Sequence, residues 1–215
     1  MNIHAAIFDM DGLLLDTERV CMRIFKEACN ACNVEFLEDV YLSIIGCNSA
    51  GVEAKIRAGY GPELDYSALN SEWRQRYNAV VMHQAIPVKD GVVELLQWLK
   101  QQGIALAVAT STQNDVALRK LELAGLKHYF DSVTTGCEVT KGKPDPEIYL
   151  LAAQRLNADP AKCLAFEDSN NGVRSAVAAG MQTYQIPDLV QPCEQVLALG
   201  HNVSPSLVTV LSTLR

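Results

Sequence analysis

AAIFDMDG, residues 5–12, decides the fold of this chain. Its first four residues are apolar without polar alternation, which is typical of a strand buried on both faces of a parallel sheet. Two carboxylates, Asp9 and Asp11, follow this run directly. Because Gly12 stands alone behind them, the glycine-rich fingerprint of dinucleotide-binding sheets is missing. The stretch therefore predicts a buried parallel strand that ends in a pair of acidic side chains.

Strands and helices alternate through most of the remaining chain. Two more buried strands are predicted at 104–109 and 163–166, and weaker strand patterns lie at 132–135 and 183–186. The helical patterns among them cover Gly91 to Gln102, Asn114 to Ala124, Pro146 to Leu156 and Asn171 to Ala179. Such alternation requires right-handed crossovers, so the predicted fold class is α/β, with a Rossmann-like, doubly wound parallel sheet. The tail from Leu189 to Arg215 indicates one or two closing helices and no site.

The interval from Thr17 to Gln84 breaks this alternation. It contains four helical patterns and no convincing strand, near Glu18 to Asn33, Glu38 to Ile45, Ala50 to Ala58 and Ala68 to His83. We predict a small α-helical cap domain over residues 17–84, inserted into a catalytic core made of residues 1–16 and 85–215. An insertion after the first strand is expected to lie over the carboxyl ends of the strands, where open α/β sheets bind ligands.

Composition and charge exclude several classes of protein. The 215 residues carry a formal net charge of -7 and no stripe of Lys or Arg, which disfavours nucleic-acid binding. No apolar run approaches the roughly 20 residues that a membrane span needs, and the first residues lack the pattern of a signal peptide. The seven cysteines are odd in number and scattered, as expected of reduced thiols. We therefore expect a cytoplasmic monomer with no nucleic-acid or membrane partner.

Polar side chains stand at or just beyond the ends of the predicted strands. Asp9 and Asp11 follow the first strand, Thr110-Ser111 follow the second, and Glu167-Asp168 follow the strand at 163–166. Lys143 precedes a helix that begins on the same side. Each of these groups alone would also suit a turn or a helix cap. Because parallel strands end at one edge of their sheet, their joint occurrence predicts a common site.

This set of residues suits the hydrolysis of a phosphate monoester. Asp9 would attack phosphorus and form an aspartyl phosphate, while Asp11 protonates the leaving alcohol and then deprotonates the hydrolytic water. A phosphate dianion repels a carboxylate, so the site must supply positive charge. Lys143 would place such a charge on the phosphoryl oxygens, and the hydroxyls of Thr110 and Ser111 would orient them.

A divalent cation would supply the rest of the positive charge. Mg²⁺ is the expected ion, because it prefers hard oxygen ligands. Asp9, Asp168 and the backbone carbonyl of Asp11 would hold it, and Glu167 would hold one of its waters. We expect this site to bind a small phosphorylated metabolite together with Mg²⁺.

At these residues the chain resembles the haloacid dehalogenase superfamily, in its phosphatase branch with a small helical cap. The four motifs of that family match Phe8 to Gly12, Thr110-Ser111, Lys143-Pro144 and Glu167-Asp168-Ser169. The resemblance spans about Ile3 to Pro187 and implies the same residue roles, Mg²⁺ dependence and a cap that closes over substrate. Within the branch the chain is similar to enzymes of the pseudouridine 5'-phosphatase and β-phosphoglucomutase types.

Two other functions are alternatives to a phosphatase. A phosphosugar mutase of the β-phosphoglucomutase type would return the phosphate to a second hydroxyl, but the resemblance implies that mutases carry a cap histidine and an arginine where this chain has Cys21 and Ser49. A phospho-accepting signalling module has no use for a lid or for Asp11.

The predicted cap holds the candidates for substrate recognition. Arg19 and Asn48 are candidate contacts to a sugar phosphate or a nucleoside monophosphate. The roles of Cys21 and Cys47 stay open.

Overall fold

The computed structural model describes residues 3–45, 47 and 49–215. Within these residues six strands form one sheet: β1 (Ala5–Phe8), β2 (Ala105–Thr110), β3 (Ser132–Thr135), β4 (Cys163–Glu167), β5 (Gln182–Gln185) and β6 (Asn202–Val203). The strand order is β3-β2-β1-β4-β5-β6, and every neighbouring pair is parallel. The predicted fold class, a Rossmann-like parallel sheet with flanking helices, is confirmed.

The helices follow the sequence patterns closely. The first four are α1 (Thr17–Ala31), α2 (Glu38–Ile44), α3 (Ser49–Tyr60) and α4 (Tyr66–Val81). The others are α5 (Val92–Gln101), α6 (Asn114–Leu123), α7 (Glu147–Arg155), α8 (Asn170–Ala178), α9 (Glu194–Leu197) and α10 (Leu207–Leu214). Among the described helices, none combines the length and the apolar character needed to cross a membrane.

The chain divides into two compact units. Residues Met1–Asp16 and Ala85–Arg215 form the first, which we call the core unit, and Thr17–Gln84 form the second, which we call the helical unit. The core unit contains the whole sheet. The helical unit contains α1 to α4 and has its own apolar centre, where the Phe25 ring lies 5.4 Å from Tyr41 and 4.9 Å from Trp73.

β1 occupies the middle of the sheet because both of its faces can be buried. Its four side chains are 0% exposed. On one face Phe8 stacks on Phe166, with ring centroids 4.5 Å apart. On the other face, Ala5 and Ile7 pack in a cluster with small side chains of β2 and β4, which leave room for Tyr149 and its neighbours on α7. The absence of polar alternation in the sequence reflects this double burial.

β6 is a strand that the sequence did not predict. It is two residues long, both of them exposed, and it pairs with β5 through Tyr184–Asn202 and Gln185–Val203. A pair of exposed residues has no apolar run or alternation by which to recognise it, so the tail indicated only the helices α9 and α10. The additional strand lies at the edge of the sheet and is separated from β1 by β4 and β5.

Candidate active site

The carboxyl ends of β1 and β4 bring the predicted acidic residues together. Phe8 pairs in register with Phe166, and the Asp9 N–H donates to the Phe166 carbonyl at 2.9 Å. Asp9, Glu167 and Asp168 are all buried, and their ligand oxygens lie within 4.8 Å of one another. The sequence-predicted convergence of these three residues is therefore present in the structure.

Gly12 allows Asp168 to approach the loop that follows β1. Gly12 has a φ of 85°, and a Cβ built on it would lie 2.3 Å from Asp168 Oδ2. A larger residue at this position would be both strained and in collision with a carboxylate. The lone glycine of the opening stretch thus serves the packing of Asp168 against the Asp9 loop.

Lys143 lies between two of the three carboxylates. Its ammonium is 2.5 Å from Asp9 Oδ1 and 2.5 Å from Glu167 Oε1, and it also donates to the Ala109 carbonyl at 3.0 Å. Asp9 and Glu167 raise the pKa of Lys143 more than its burial lowers it, so this side chain keeps its charge. A lysine that precedes α7 in sequence thus supplies positive charge to the end of β1.

Asp9 is a carboxyl group buried beside other acidic side chains. Burial raises its pKa to about 8; Lys143 opposes this, whereas the carboxylates of Glu167 and Asp11 add to it. The Lys143 ammonium contacts two of the three buried carboxylates, and the ligand atoms that the three residues offer are hard oxygens. This donor set fits a divalent cation, which would favour the ionised form of Asp9.

Glu167 is held in place by several donors. Besides Lys143, the Tyr149 hydroxyl donates to Oε1 at 2.8 Å, and the backbone N–H and the hydroxyl of Ser169 donate to Oε2 at 3.2 and 3.0 Å. Tyr149 is a contact that the sequence analysis missed. It occupies an ordinary buried position of α7, and only the pairing of α7 with the sheet shows that its hydroxyl reaches a carboxylate.

Gly172 on α8 makes room for Glu167, which gives a stability prediction. A Cβ at Gly172 would lie 1.9 Å from the Glu167 carboxyl carbon. Because that carboxylate is fixed by its donors, we expect Gly172→Ala to lower the free energy of unfolding by about 1–3 kcal/mol, as overpacking does. Urea denaturation measures this change. Gly142→Ala is the control, because its Cβ would meet nothing within 4 Å; equal stability of the two variants would contradict the prediction.

Asp11 has its own set of donors, which come from the end of β2 and the segment after it. Thr112 Oγ1 donates to Asp11 Oδ2 at 2.6 Å, and Thr110 Oγ1 lies 3.3 Å from the same oxygen. Lys120 of α6, whose side chain is 0% exposed, places its ammonium 2.7 Å from Asp11 Oδ1. Ser111, the neighbour of Thr110, is exposed.

Lys120 was missed by the sequence analysis, although the sequence contains an indication of it. Ala117, Lys120 and Leu121 are the buried residues of α6, and they share one face at helical spacing. A lysine on the apolar face of a helix needs a buried acidic partner. The pattern therefore points to such a partner, and the structure identifies it as Asp11.

The two candidate substrate contacts belong to the helical unit. Arg19 is exposed on α1. Asn48 lies outside the described residues. Cys21 and Cys47 both line a cavity of about 230 Å³ within the helical unit, together with Trp73 and Tyr77 among others. The roles of Arg19 and Asn48 stay predictions.

Comparison with known proteins identifies the class to which this site belongs. The sequence profile described as "Haloacid dehalogenase-like hydrolase" matches residues 6–186. A Thermotoga maritima protein named "Phosphorylated carbohydrates phosphatase" is 37% identical over 182 residues, which cover 84% of this chain and 83% of that protein. The chain therefore belongs to the haloacid dehalogenase-like hydrolase family.

One further relative and one solved structure resemble this chain over most of its length. A Drosophila melanogaster protein named "Probable pseudouridine-5'-phosphatase" is 32% identical, over 87% of this chain and 83% of its own length. A solved structure from Thermotoga maritima, described as "putative beta-phosphoglucomutase", matches with a TM-score of 0.82 and 31% identity, over 99% of this chain and 98% of that one. These findings confirm the predicted family and the predicted enzyme class, a phosphoric monoester hydrolase.

Proposed function

We propose that this phosphatase hydrolyses small phosphorylated metabolites through an aspartyl phosphate formed on Asp9. The observation that carries the proposal is the burial of Asp9 against the Lys143 ammonium, 2.5 Å away, in a cluster with Glu167 and Asp168. A carboxylate in such a site can approach the phosphorus of a monoester because the neighbouring cation offsets the charge of the phosphoryl oxygens.

The first half of the reaction transfers the phosphoryl group to the protein. An oxygen of the Asp9 carboxylate forms a bond to phosphorus while the bond from phosphorus to the ester oxygen breaks. The electron pair of that bond goes to the leaving oxygen, which takes a proton from the carboxyl group of Asp11. Lys143 and Thr110 bind the phosphoryl oxygens during this transfer, and the product of the step is the free alcohol.

The second half releases phosphate. A water oxygen attacks phosphorus and gives its proton to the Asp11 carboxylate, and the bond between Asp9 and phosphorus breaks with its electron pair returning to Asp9. Asp11 thereby recovers the proton that it donated in the first half. One ester and one water are converted to one alcohol and one inorganic phosphate, and the protein returns to its starting state.

We propose that the cation of this site is Mg²⁺; Asp9, Asp168 and the backbone carbonyl of Asp11 would hold it. When bound, it would offset the negative charge of the phosphoryl group and of the buried carboxylates. Glu167, which accepts hydrogen bonds from Lys143, Tyr149 and Ser169, would act on this site by fixing Lys143 as well as by holding a water of the cation.

Asp168→Ala tests this assignment. We expect the Mg²⁺ concentration that gives half-maximal activity to rise on the order of 10- to 100-fold, because even the outer partners of metal ligands contribute that much to affinity. Titration of activity with Mg²⁺ measures the shift. Asp159→Ala is a matched control, because Asp159 is exposed and lies before the amino end of β4, the strand that Asp168 follows. An unchanged Mg²⁺ requirement in Asp168→Ala would remove this residue from the ligand set.

The helical unit is proposed to act as the cap of the site. The two chain connections that lead to it are hydrogen-bonded to each other within the core unit: Asp16 N–H donates to the Pro87 carbonyl, and Lys89 N–H donates to the Leu14 carbonyl. The first of these connections follows Asp11 by only a few residues. An insertion attached at this point can change the access of substrate to Asp9 through a small movement of the connections.

The substrate class is proposed to be a sugar phosphate or a nucleoside monophosphate. The names of the relatives support it, since one is named for phosphorylated carbohydrates and another for pseudouridine 5'-phosphate. The likeness to the structure described as "putative beta-phosphoglucomutase" supports the mutase as the alternative function. The monomeric state and the cytoplasmic location stay predictions.

Release of inorganic phosphate from a panel of sugar phosphates and nucleoside monophosphates tests the proposal. The panel is run with Mg²⁺ and with a chelator, and the sugar phosphates that remain are analysed for isomers. The proposal predicts Mg²⁺-dependent phosphate release. Conversion of one sugar phosphate into an isomer without phosphate release would favour the mutase, and a folded protein that does neither would overturn both.

A further inference from the structure

Lys120 occupies a place where a cation is expensive to bury. It lies on the buried face of α6, between Ala117 and Leu121, and its side chain is 0% exposed. Removing an ammonium from water costs several kcal/mol unless it is paired and hydrogen-bonded. An apolar side chain would satisfy the packing of this helix face equally well. The presence of lysine here therefore calls for a role in its contact with Asp11.

The contacts of Asp11 fix both oxygens of its carboxyl group. Lys120 holds Oδ1 at 2.7 Å, and Thr112 holds Oδ2 at 2.6 Å. Both donors belong to the segment that follows β2, whereas Asp11 belongs to the loop after β1. Donors on the two separate oxygens restrict rotation of the carboxyl plane, which a single donor would leave free to turn.

The two carboxyl groups of the Asp9-Met10-Asp11 stretch are thus paired with different lysines. Lys143 contacts Asp9, and Lys120 contacts Asp11. In the proposed function, Asp9 forms a bond to phosphorus and Asp11 transfers protons. Lys143 therefore lies beside the group that forms the covalent bond, and Lys120 lies beside the group that transfers protons.

We propose that Lys120, with Thr112, is a positioning residue that orients the Asp11 carboxyl group for proton transfer to the leaving oxygen. This inference rests on the proposed function. A general acid must lie within hydrogen-bond reach of the atom that it protonates, so a carboxyl group free to turn loses efficiency. Lys120 acts on the reaction through Asp11, so its importance depends on how much the leaving group needs a proton.

Leaving-group dependence separates positioning from a purely structural role. A sugar phosphate or another alkyl phosphate releases a poor leaving group that needs a proton from Asp11. p-Nitrophenyl phosphate releases a stable phenolate that does not need one. The ratio kcat/KM is the quantity to compare, because it includes the departure of the leaving group and excludes the later hydrolysis of the aspartyl phosphate.

The experiment compares wild type, Lys120→Met and Lys127→Gln on both esters. Methionine keeps the length of lysine without its charge. Lys127 is the control. Its ammonium pairs with Glu122 of α6, the helix that also carries Lys120, but the Lys127 side chain is exposed. We expect Lys120→Met to lower kcat/KM for the alkyl phosphate on the order of 100-fold, as misplacement of a catalytic group does, and for p-nitrophenyl phosphate by roughly a tenth of that factor or less. Lys127→Gln should leave both values unchanged.

Further variants keep the test decisive if Lys120→Met does not fold. Thr112→Val removes the shorter of the two hydroxyl contacts to Asp11 Oδ2 without changing the side-chain shape. Its loss of kcat/KM should be smaller than that of Lys120→Met and should again be larger for the alkyl phosphate. In an Asp11→Asn background, adding Lys120→Met or Thr112→Val should cause no further change in the leaving-group preference, because the group that is oriented is gone.

The outcomes separate this inference from the proposed function. An equal loss on both esters, or no loss on either, in a folded Lys120→Met protein would overturn the positioning role while the phosphatase mechanism stands. A wild-type protein that hydrolyses neither ester would overturn the proposed function and this inference with it.

Discussion

Asp9→Asn is expected to abolish phosphate release while the protein stays folded. A neutral amide cannot form an acyl phosphate, so the fall in kcat should be on the order of 10⁵-fold or more, as for the loss of a nucleophile in other covalent mechanisms. Asparagine has nearly the shape of aspartate, and its amide oxygen can still accept a hydrogen bond from Lys143. Phosphate release and circular dichroism measure the two parts of this expectation.

The stability of the Asp9→Asn variant provides a second check. Because the pKa of Asp9 is raised to about 8, ionisation of this group opposes folding as the pH rises from about 4 to about 8. In the presence of a chelator, the free energy of unfolding of the wild type should therefore decline over this pH range. The variant should lack this decline. Asp90→Asn, at an exposed position of the core unit, is the control and should retain both activity and the decline. Substantial residual turnover by Asp9→Asn would remove Asp9 from the role of nucleophile.

Lys143→Met is expected to have the second largest effect, on both activity and stability. Its loss leaves Asp9 and Glu167 buried without their ammonium, and breaking a buried ion pair in this way costs about 3–5 kcal/mol. The phosphoryl oxygens also lose a charged partner, which should lower kcat by a factor on the order of 10²–10³. Chemical denaturation with a chelator present, and phosphate release with Mg²⁺ present, measure these two effects.

Lys141→Met is the matched control for this variant. Lys141 lies two residues away, its side chain is 73% exposed, and its nearest acidic partner, Asp145, is 3.9 Å from it. Stability and activity should therefore stay near wild type. If Lys143→Met does not fold, Lys143→Arg restores the positive charge and should recover stability more than activity, because a guanidinium cannot occupy the place of a compact ammonium. Wild-type kinetics in a folded Lys143→Met protein would contradict the role given to this residue.

The central strands of the sheet could be predicted from the sequence because they are buried on both faces. β1, β2 and β4 each contain a run of buried apolar residues. These three strands, and the weaker patterns of β3 and β5, were found within one residue of their predicted ends. β6 could not be predicted, because two exposed residues that pair by backbone hydrogen bonds leave no pattern in the side chains.

The site was predictable to the extent that topology determines it. Residues at the ends of neighbouring parallel strands must lie at one edge, so Asp9, Glu167 and Asp168 could be grouped without a structure. Contacts made from the buried faces of helices could not be predicted from the sequence. Tyr149 and Lys120 reach Glu167 and Asp11 from α7 and α6, and helical spacing alone shows that they are buried without showing what they meet.

Trapping of the phosphorylated protein tests the central claim most directly. In Asp11→Asn the first transfer from p-nitrophenyl phosphate needs no proton, whereas the hydrolysis that follows lacks its base, so the aspartyl phosphate should accumulate. Acid quenching, proteolysis and mass spectrometry then locate the phosphate. The mechanism predicts one phosphate per chain on the peptide that contains Asp9, and none in the Asp9→Asn variant. Phosphate release without any labelled protein, or a label on another residue, would contradict it.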